Sequence, residues 1–216
     1  MVPVPDTLPR RADARRNREQ VLGAAEAVLS EVGLSAPVEE IARRAGVGVG
    51  TVCRHFPTKQ DLVDAVLRRM FEALVQDANA ALEVDDPGEA FRSFVVALSE
   101  FQVRHRALAE QMAAQIEGSA EGKPFRVALW DAITELLARA QSAGAVRADI
   151  GPSDVAMLVS GVAHAAALVG DGHARVRERY VTIVLDGLRP AEPSALPGRA
   201  MSFAQLQRAK DRQRTS

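Results

Sequence analysis

The stretch from Val38 to Phe56, VEEIARRAGVGVGTVCRHF, constrains the fold of this 216-residue chain more than any other. Apolar residues repeat there at the spacing of one helical face, namely Val38, Ile41, Ala42 and Ala45. Gly46 is suited to end this first helix in a left-handed conformation. A second short helix is predicted from about Val49 to His55. Two short helices joined by a glycine turn predict a helix-turn-helix, whose second helix fits the major groove of DNA.

The sequence around this motif resembles the N-terminal domain of the TetR family of bacterial transcriptional regulators. The resemblance rests on IAxxAGV at 41–47, GTxxRHF at 50–56 and Pro-Thr-Lys-x-x-Leu at 57–62, preceded by an apolar helix that ends at Gly33. It covers about the first third of the chain. It implies an all-α fold, with an N-terminal three-helix helix-turn-helix domain followed by a C-terminal helical bundle.

The resemblance also implies which residues contact double-stranded DNA. They are Arg15, Arg16, Arg18, Val38, Gly48, Val49, Gly50, Thr51, Cys53, Arg54, His55 and Lys59. Thr51 offers a hydroxyl and a methyl group to base edges, and Arg54 is long enough to reach a phosphate or a guanine. Cys53 stands where many relatives have a tyrosine, which removes one backbone contact. For the arginines before the motif, the alternative is a solvated helix face.

Composition and charge place the chain among ordinary globular proteins. The net charge is −1, and the basic residues are concentrated at the two ends: residues 198–216 hold five basic residues against one acidic residue. The single cysteine, Cys53, excludes an internal disulfide and a cysteine-based zinc site, and it favours a reducing compartment. No apolar run reaches the length of about 18 residues that a membrane helix needs. We therefore predict a cytoplasmic protein that does not span a membrane.

Helical periodicity continues to the end of the chain without a strand pattern. We predict a disordered arm at 1–11, a helix-turn-helix domain at 12–58, a helical ligand-binding and dimerisation domain at 59–189, and a flexible basic tail at 190–216. The last two helices of the bundle, at about 153–189, contain small residues such as Gly161 and Ala165 that permit close helix approach. The family forms homodimers through two such helices, although packing within one subunit also explains the small residues.

No motif for catalysis, metal binding or cofactor binding is recognised. The run GVGVGT follows a helical pattern and lacks the G-x-G-x-x-G spacing of a dinucleotide site. The resemblance instead implies a small-molecule effector bound in the C-terminal domain. Aromatic, methionine and sparse polar side chains are the groups expected at such a site: Phe71, Phe101, Arg104, His105, Met112, Gln115, Trp130 and His164. For most of these residues the alternative is ordinary core packing.

These expectations describe a dimeric DNA-binding transcriptional regulator, a repressor by resemblance, which binds a pseudo-palindromic operator and is released by its effector. Two alternatives stay open at this point. A regulator controlled by a protein partner would have a C-terminal domain without a cavity. An all-α enzyme that kept a degenerate DNA-binding domain would have lost sequence-specific DNA binding and would carry a polar, catalytically arranged pocket.

Overall fold

A computed structural model describes residues 8–105, 123–169, 173–191 and 193–213, with side chains described at 13–105, 124–169, 173–191 and 193–209. All regular secondary structure in these residues is helical, which confirms the predicted all-α class. The chain divides into two compact units, Met1–Met70 and Phe71–Ser216.

The first unit contains three helices and the beginning of a fourth. They are α1 (Leu8–Val32), α2 (Val38–Ala45), α3 (Val49–His55) and α4 (Lys59–Leu82). The unit has one apolar core, to which each of these helices contributes: Val21, Leu22, Ala25, Val28, Leu29, Ile41, Ala42, Val52, Leu62, Val63 and Val66. Burial of the α2 and α3 side chains against α1 holds the two short helices, which are too short to be stable alone.

The turn between α2 and α3 has the geometry that the sequence predicts. Gly46 lies in the left-handed region, at φ 68° and ψ 28°, and its N–H donates to the carbonyl of Arg43 at 3.2 Å. Any other residue at this angle would incur a penalty of about 1–2 kcal/mol. Gly48 precedes α3 in an extended conformation, with no side chain to cap the helix. The two helix axes therefore change direction within three residues.

Two boundaries of the predicted first domain differ from the structure. Leu8–Arg11, assigned to the disordered arm, are the first residues of α1, because Pro9 is compatible with a first helical turn and arginine is a good helix former. The predicted border at 58/59 lies at Met70 instead. The first half of α4 belongs to the first unit, where Arg69 pairs with Glu19 at 3.1 Å.

The second unit is a helical bundle. It contains the rest of α4, then α5 (Pro87–Arg104), α6 (Lys123–Ser142), α7 (Pro152–Ala167), α8 (His173–Gly187) and α9 (Phe203–Gln213). The helix α5 packs against α6, α7 and α8 and so lies at the centre of the bundle. Apolar side chains from all of these helices except α9 form one continuous core, and its largest fully buried members include Phe94, Leu74 and Leu136.

The segment after residue 190 is not the flexible tail that its composition predicts. Residues Phe203–Gln213 form α9, which begins with a reciprocal cap in which the Ser202 N–H donates to Oε1 of Gln205 at 2.8 Å. Leu206 is buried, and the Phe203 ring lies 4.8 Å from the Trp130 ring of α6. The tail was mispredicted because its apolar side chains are few and their partner is distant in sequence.

Candidate nucleic-acid interface and effector site

One face of α3 is exposed in the first unit. Val49, Gly50, Cys53 and Arg54 are all exposed, and their positions span an arc of about 140° around the helix. Val52, on the opposite side, is 1% exposed and anchors α3 to the core. This surface has the size and the exposure that a DNA-reading helix requires.

Thr51 borders this face and His55 lies on the far side of α3, and both are half-buried. The His55 ring lies 6.4 Å from the Phe56 ring, so it forms part of the support at the end of α3. Gly50 has open space where a side chain would project, so a nucleic-acid backbone could approach α3 closely there. The residues predicted from the motif therefore separate into an exposed group and a supporting group.

The cations of α2 are already paired with carboxylates. Arg43 donates to both oxygens of Glu40, at 2.8 and 2.7 Å, and this hydrogen bonding lowers the pKa of Glu40. Arg44 donates to Glu31 at 2.7 Å, which lowers the pKa of Glu31 in the same way. Arg54 of α3 has no carboxylate within ion-pair distance in the described part of the first unit. It is therefore the cation of the helix-turn-helix that is available to a phosphate or a guanine.

The three predicted arginines of α1 are in different environments. Arg15 is exposed, and Arg16 donates to Asp13 at 2.6 Å on the same helix face. The Arg18 guanidinium lies 5.2 Å from the centre of the Phe56 ring, at the end of α3. Arg18 therefore helps to hold α3 against α1 by a cation–π contact. Arg15 remains accessible to an anionic partner, whereas Arg16, like Arg43, is already paired with a carboxylate.

The remaining predicted DNA contacts lie at helix starts. Val38 is half-buried at the start of α2, and Gly48 is exposed directly before α3. The Lys59 ammonium, at the start of α4, donates to the carbonyl of Leu34 at 2.5 Å. Lys59 is thus a bridge to the loop between α1 and α2, and its ammonium still has two N–H donors for a phosphate.

In the second unit, aromatic rings from α4, α5 and α6 form one cluster. The Phe71 ring lies 6.2 Å from Phe101 and 6.1 Å from Phe125, and Phe101 lies 4.8 Å from the His105 ring. His105 is 4% exposed, and its burial, with a smaller effect of the neighbouring Arg104 charge, lowers its pKa to about 4. The imidazole is therefore neutral at physiological pH. We call these four residues the aromatic cluster.

The structure does not bring all the predicted effector residues to this cluster. Arg104 is exposed and donates to Glu100 at 3.2 Å, Trp130 contacts Phe203 of α9, and His164 is exposed on α7. Met112 and Gln115 lie outside the described residues. Phe125 was missed by the sequence reasoning, although an aromatic residue in the first turn of a predicted helix was a usable signal.

The helices α7 and α8 of the second unit carry large apolar side chains that are exposed. On α7, Met157 and Leu158 are 51% and 40% exposed, and Leu168 follows just after the helix. On α8, Tyr180 and Ile183 are 43% and 53% exposed. The two helices pack against each other within the second unit. Their exposed apolar residues are the main candidates for a contact with a second protein chain.

Neither a membrane segment nor a metal site is found among the described residues. No helix there is long and apolar enough to cross a membrane. Within the same part of the chain, no group of three or more His, Cys, Asp and Glu side chains could hold a metal ion.

Both units match families of known regulators. Residues 21–66 match the family described as "Bacterial regulatory proteins, tetR family", and residues 86–190 match "Transcriptional regulator SbtR-like, C-terminal domain". The solved structure of a TetR transcription regulatory protein from Mycobacterium vanbaalenii is similar, with 38% sequence identity and a TM-score of 0.65. The match covers 84% of this chain and 99% of that chain.

Two curated relatives match over shorter lengths. The HTH-type transcriptional regulator BetI of Yersinia pestis is 36% identical over 80 residues, and the HTH-type transcriptional repressor KstR of Mycolicibacterium smegmatis is 32% identical over 135 residues. These matches cover 35% and 60% of this chain. The chain spans 40% of the length of BetI and 65% of that of KstR.

The matched families describe transcriptional regulators, and neither describes an enzyme. The alternative of an all-α enzyme is therefore not supported. The helix-turn-helix geometry, the all-helical second unit and the similarity over nearly the whole length of a solved TetR structure agree with one another. The chain belongs to the TetR family of bacterial regulatory proteins.

Proposed function

We propose that the protein is a cytoplasmic transcriptional repressor that binds a pseudo-palindromic operator as a homodimer and is released by a small-molecule effector. The observation that carries the proposal is the exposed face of α3, formed by Val49, Gly50, Cys53 and Arg54. A short helix presented in this way after a glycine turn can enter a major groove. The similarity to KstR, which is named a repressor, supports repression over activation.

Reading of bases would come from few side chains. Thr51 can accept or donate a hydrogen bond and contact a thymine methyl, while Arg54 can bind the two acceptors of guanine. Val49 offers only apolar contact, and Gly50 has no side chain with which to contact a base. Phosphate contacts from Arg15 and Lys59 would then fix the orientation of the first unit on the duplex without reading sequence.

A dimer is supported by the exposed apolar residues of α7 and α8. A chain rarely leaves such residues on two packed helices in water unless another surface covers them. In an isologous dimer these helices would meet the same helices of the second subunit, so the same residues would form both sides of the contact. Two copies of α3 would then read half-sites one helical turn apart, about 34 Å.

The aromatic cluster is the proposed effector site. Three phenylalanine rings supply apolar contact area, and the neutral imidazole of His105 supplies a polar group. We propose that a lipophilic effector displaces these rings and favours the state that does not bind the operator. Its effect on DNA binding cannot exceed its difference in affinity for the two states. Control by a protein partner is the alternative, and failure of small molecules to bind the second unit would favour it.

The test is selection of bound fragments from random and genomic DNA by the purified full-length protein at a stated salt concentration. We expect recovery of an inverted repeat. Thr51→Ala and Arg54→Ala should weaken binding to it, while Arg43→Ala, whose guanidinium is already paired with Glu40, serves as a matched control. A folded dimer that recovers no sequence above non-specific binding would refute the proposal, as would unchanged affinity in both α3 variants.

A further inference from the structure

One polar contact between a buried hydroxyl and a guanidinium joins α5 to α8. Ser99 of α5 is fully buried, and its Oγ donates to the carbonyl of Val96 at 2.7 Å. Because that bond uses the hydroxyl proton, Oγ accepts from Nη1 of Arg177 on α8, at 3.2 Å. Arg177 is half-buried, and no carboxylate of the described residues lies within ion-pair distance of it. The second unit therefore holds a partly desolvated cation whose partner is neutral.

Other half-buried arginines of this unit are better satisfied. Arg147 donates to both oxygens of Asp149, at 2.6 and 2.8 Å, and Arg139 donates to the carbonyl of Val84, just after α4, at 3.0 Å. A half-buried cation without a counter-charge is unfavourable until an anion reaches it. Most of the N–H donors of Arg177 are left for such an anion, and a carboxylate matches the fork of a guanidinium best.

The helices α5 and α8 are antiparallel, which places this cation near the end of α5. The carbonyl of Leu188, just after α8, accepts from the turn at 145–147, and a Cβ atom at Gly88, near the start of α5, would lie 3.0 Å from the same turn. The separation of Arg177 from Leu188 in the sequence equals that of Ser99 from Gly88, as an antiparallel pairing requires. The beginning of α8 therefore lies beside the last turns of α5.

A row of polar side chains leads from this cation to the aromatic cluster. Ser99, Gln102 and His105 follow one another at intervals of three residues, the spacing at which neighbouring side chains of a helix meet. Gln102 is half-buried, and its side chain makes no hydrogen bond to another described residue. His105 belongs to the aromatic cluster, with its ring 4.8 Å from that of Phe101. Ser99 and His105 are about 9 Å apart along the helix axis. One small amphiphile could therefore reach the cation and the rings together.

We propose that the effector is an amphiphilic monocarboxylate, whose carboxylate binds Arg177 and whose apolar chain lies among the rings of the aromatic cluster. The inference rests on the proposed function, because it names the chemical class of the effector of that site. Ser99 orients the guanidinium, and the Gln102 amide donates a further hydrogen bond to the carboxylate. Arg177 determines specificity, since an alcohol of the same chain length gives the apolar contact without the charge. A lysine would supply a point charge without the fork.

The experiment measures the affinities of the full-length protein for hexanoate, octanoate and decanoate and for the alcohols of the same chain lengths, by isothermal titration calorimetry. We expect the wild-type protein to bind at least one carboxylate about tenfold more tightly than its alcohol, the effect of a hydrogen bond to a charged group. In Arg177→Gln the two affinities should differ by less than about threefold. Arg179→Gln is the matched control, because Arg179 is an exposed arginine of the same helix, and it should keep the wild-type ratio.

Arg177→Lys should give an intermediate ratio and covers the case in which Arg177→Gln does not fold. A purely structural contact between α5 and α8 would lower the thermal stability of the variants without changing the ratio of carboxylate to alcohol affinity. Folded variants with the wild-type ratio would therefore overturn the inference, as would a wild-type protein that prefers no carboxylate to its alcohol. Tight binding of the alcohols alone would overturn it and leave the aromatic cluster as the effector site. The proposed function fails on a separate measurement, the recovery of no inverted repeat.

Discussion

The packing of α9 on Trp130 can be tested by one substitution, Phe203→Ala. The two rings lie 4.8 Å apart at 43°, and Leu206 is buried one turn further along α9. Truncation of a fully buried phenylalanine costs about 3–5 kcal/mol. Phe203 is only half-buried, so we expect about half of that, ~2 kcal/mol, of which the aromatic pair accounts for about 0.5–1.5 kcal/mol.

This loss acts on the attachment of α9 more than on the rest of the bundle, because α9 contributes no residue to the main core. A change of ~2 kcal/mol shifts the equilibrium between packed and released α9 by about 30-fold. Leu206 and the cap formed by Ser202 and Gln205 are retained in the variant. The helix should therefore be released part of the time without unfolding of α5 to α8.

The assay is intrinsic fluorescence, since Trp130 is the single tryptophan of the chain. Phe203→Ala should shift its emission to longer wavelength and increase its quenching by acrylamide, while far-UV circular dichroism changes little. Arg208→Ala, at an exposed position of the same helix, should match the wild-type protein. Identical emission and quenching in Phe203→Ala and wild type would refute the packing of α9 on Trp130.

Three further predictions concern DNA binding, dimerisation and acid stability. Arg54→Ala should reduce the slope of log affinity against log salt by about 1, while Arg43→Ala should leave it nearly unchanged, as measured by fluorescence anisotropy over a salt series. Ile183→Glu should weaken self-association by tenfold or more in sedimentation, roughly the cost of burying an unpaired charge, whereas Glu178→Gln should not. His105 should make the folded state less stable in acid: its folded pKa of about 4 lies below the ordinary 6.5, so the unfolded chain binds the extra proton between these values. The free energy of unfolding should then fall by about 2 kcal/mol between pH 7 and 5 in urea titrations, and by less in His105→Gln.

Each of these three has a clear contrary result. An equal salt slope for wild type and Arg54→Ala would mean that α3 does not place this guanidinium at a phosphate. Unchanged sedimentation of Ile183→Glu would mean that the exposed face of α8 does not form the dimer contact. A His105→Gln protein with the same pH dependence as wild type would show that His105 is not responsible for the acid sensitivity.

The helix-turn-helix could be predicted almost to the residue because its signals are local. Gly46 ends α2 through its own backbone angle, and the apolar spacing of α2 and α3 selects the faces that are buried. Charge pairing follows from the sequence only within one helix. Arg43 and Glu40 are three residues apart on α2, a spacing at which side chains meet, whereas the pair of Arg44 with Glu31 joins α2 to α1 and depends on how these two helices pack.

The aromatic cluster, which we propose as the effector site, was predicted only in part, for a related reason. His105 directly follows α5 and lies one turn beyond Phe101, so their proximity follows from the sequence. Phe125 and Trp130, five residues apart on α6, point in directions that differ by about 140°. The bundle directs Phe125 towards Phe71 and Trp130 towards Phe203. Trp130 was predicted at the effector site only because it is aromatic.

The sequence by itself determined the family, the helical class and the position of the α3 helix. Periodicity, glycine caps and short motifs depend only on residues that are close together in the chain. Only the tertiary structure decided which distant side chains meet: Arg139 with the end of α4, and Phe203 with Trp130. Those contacts join residues more than 50 positions apart. Their free energy appears only when the bundle has closed around them, since hydrogen bonding and burial depend on what surrounds a group and not on its identity.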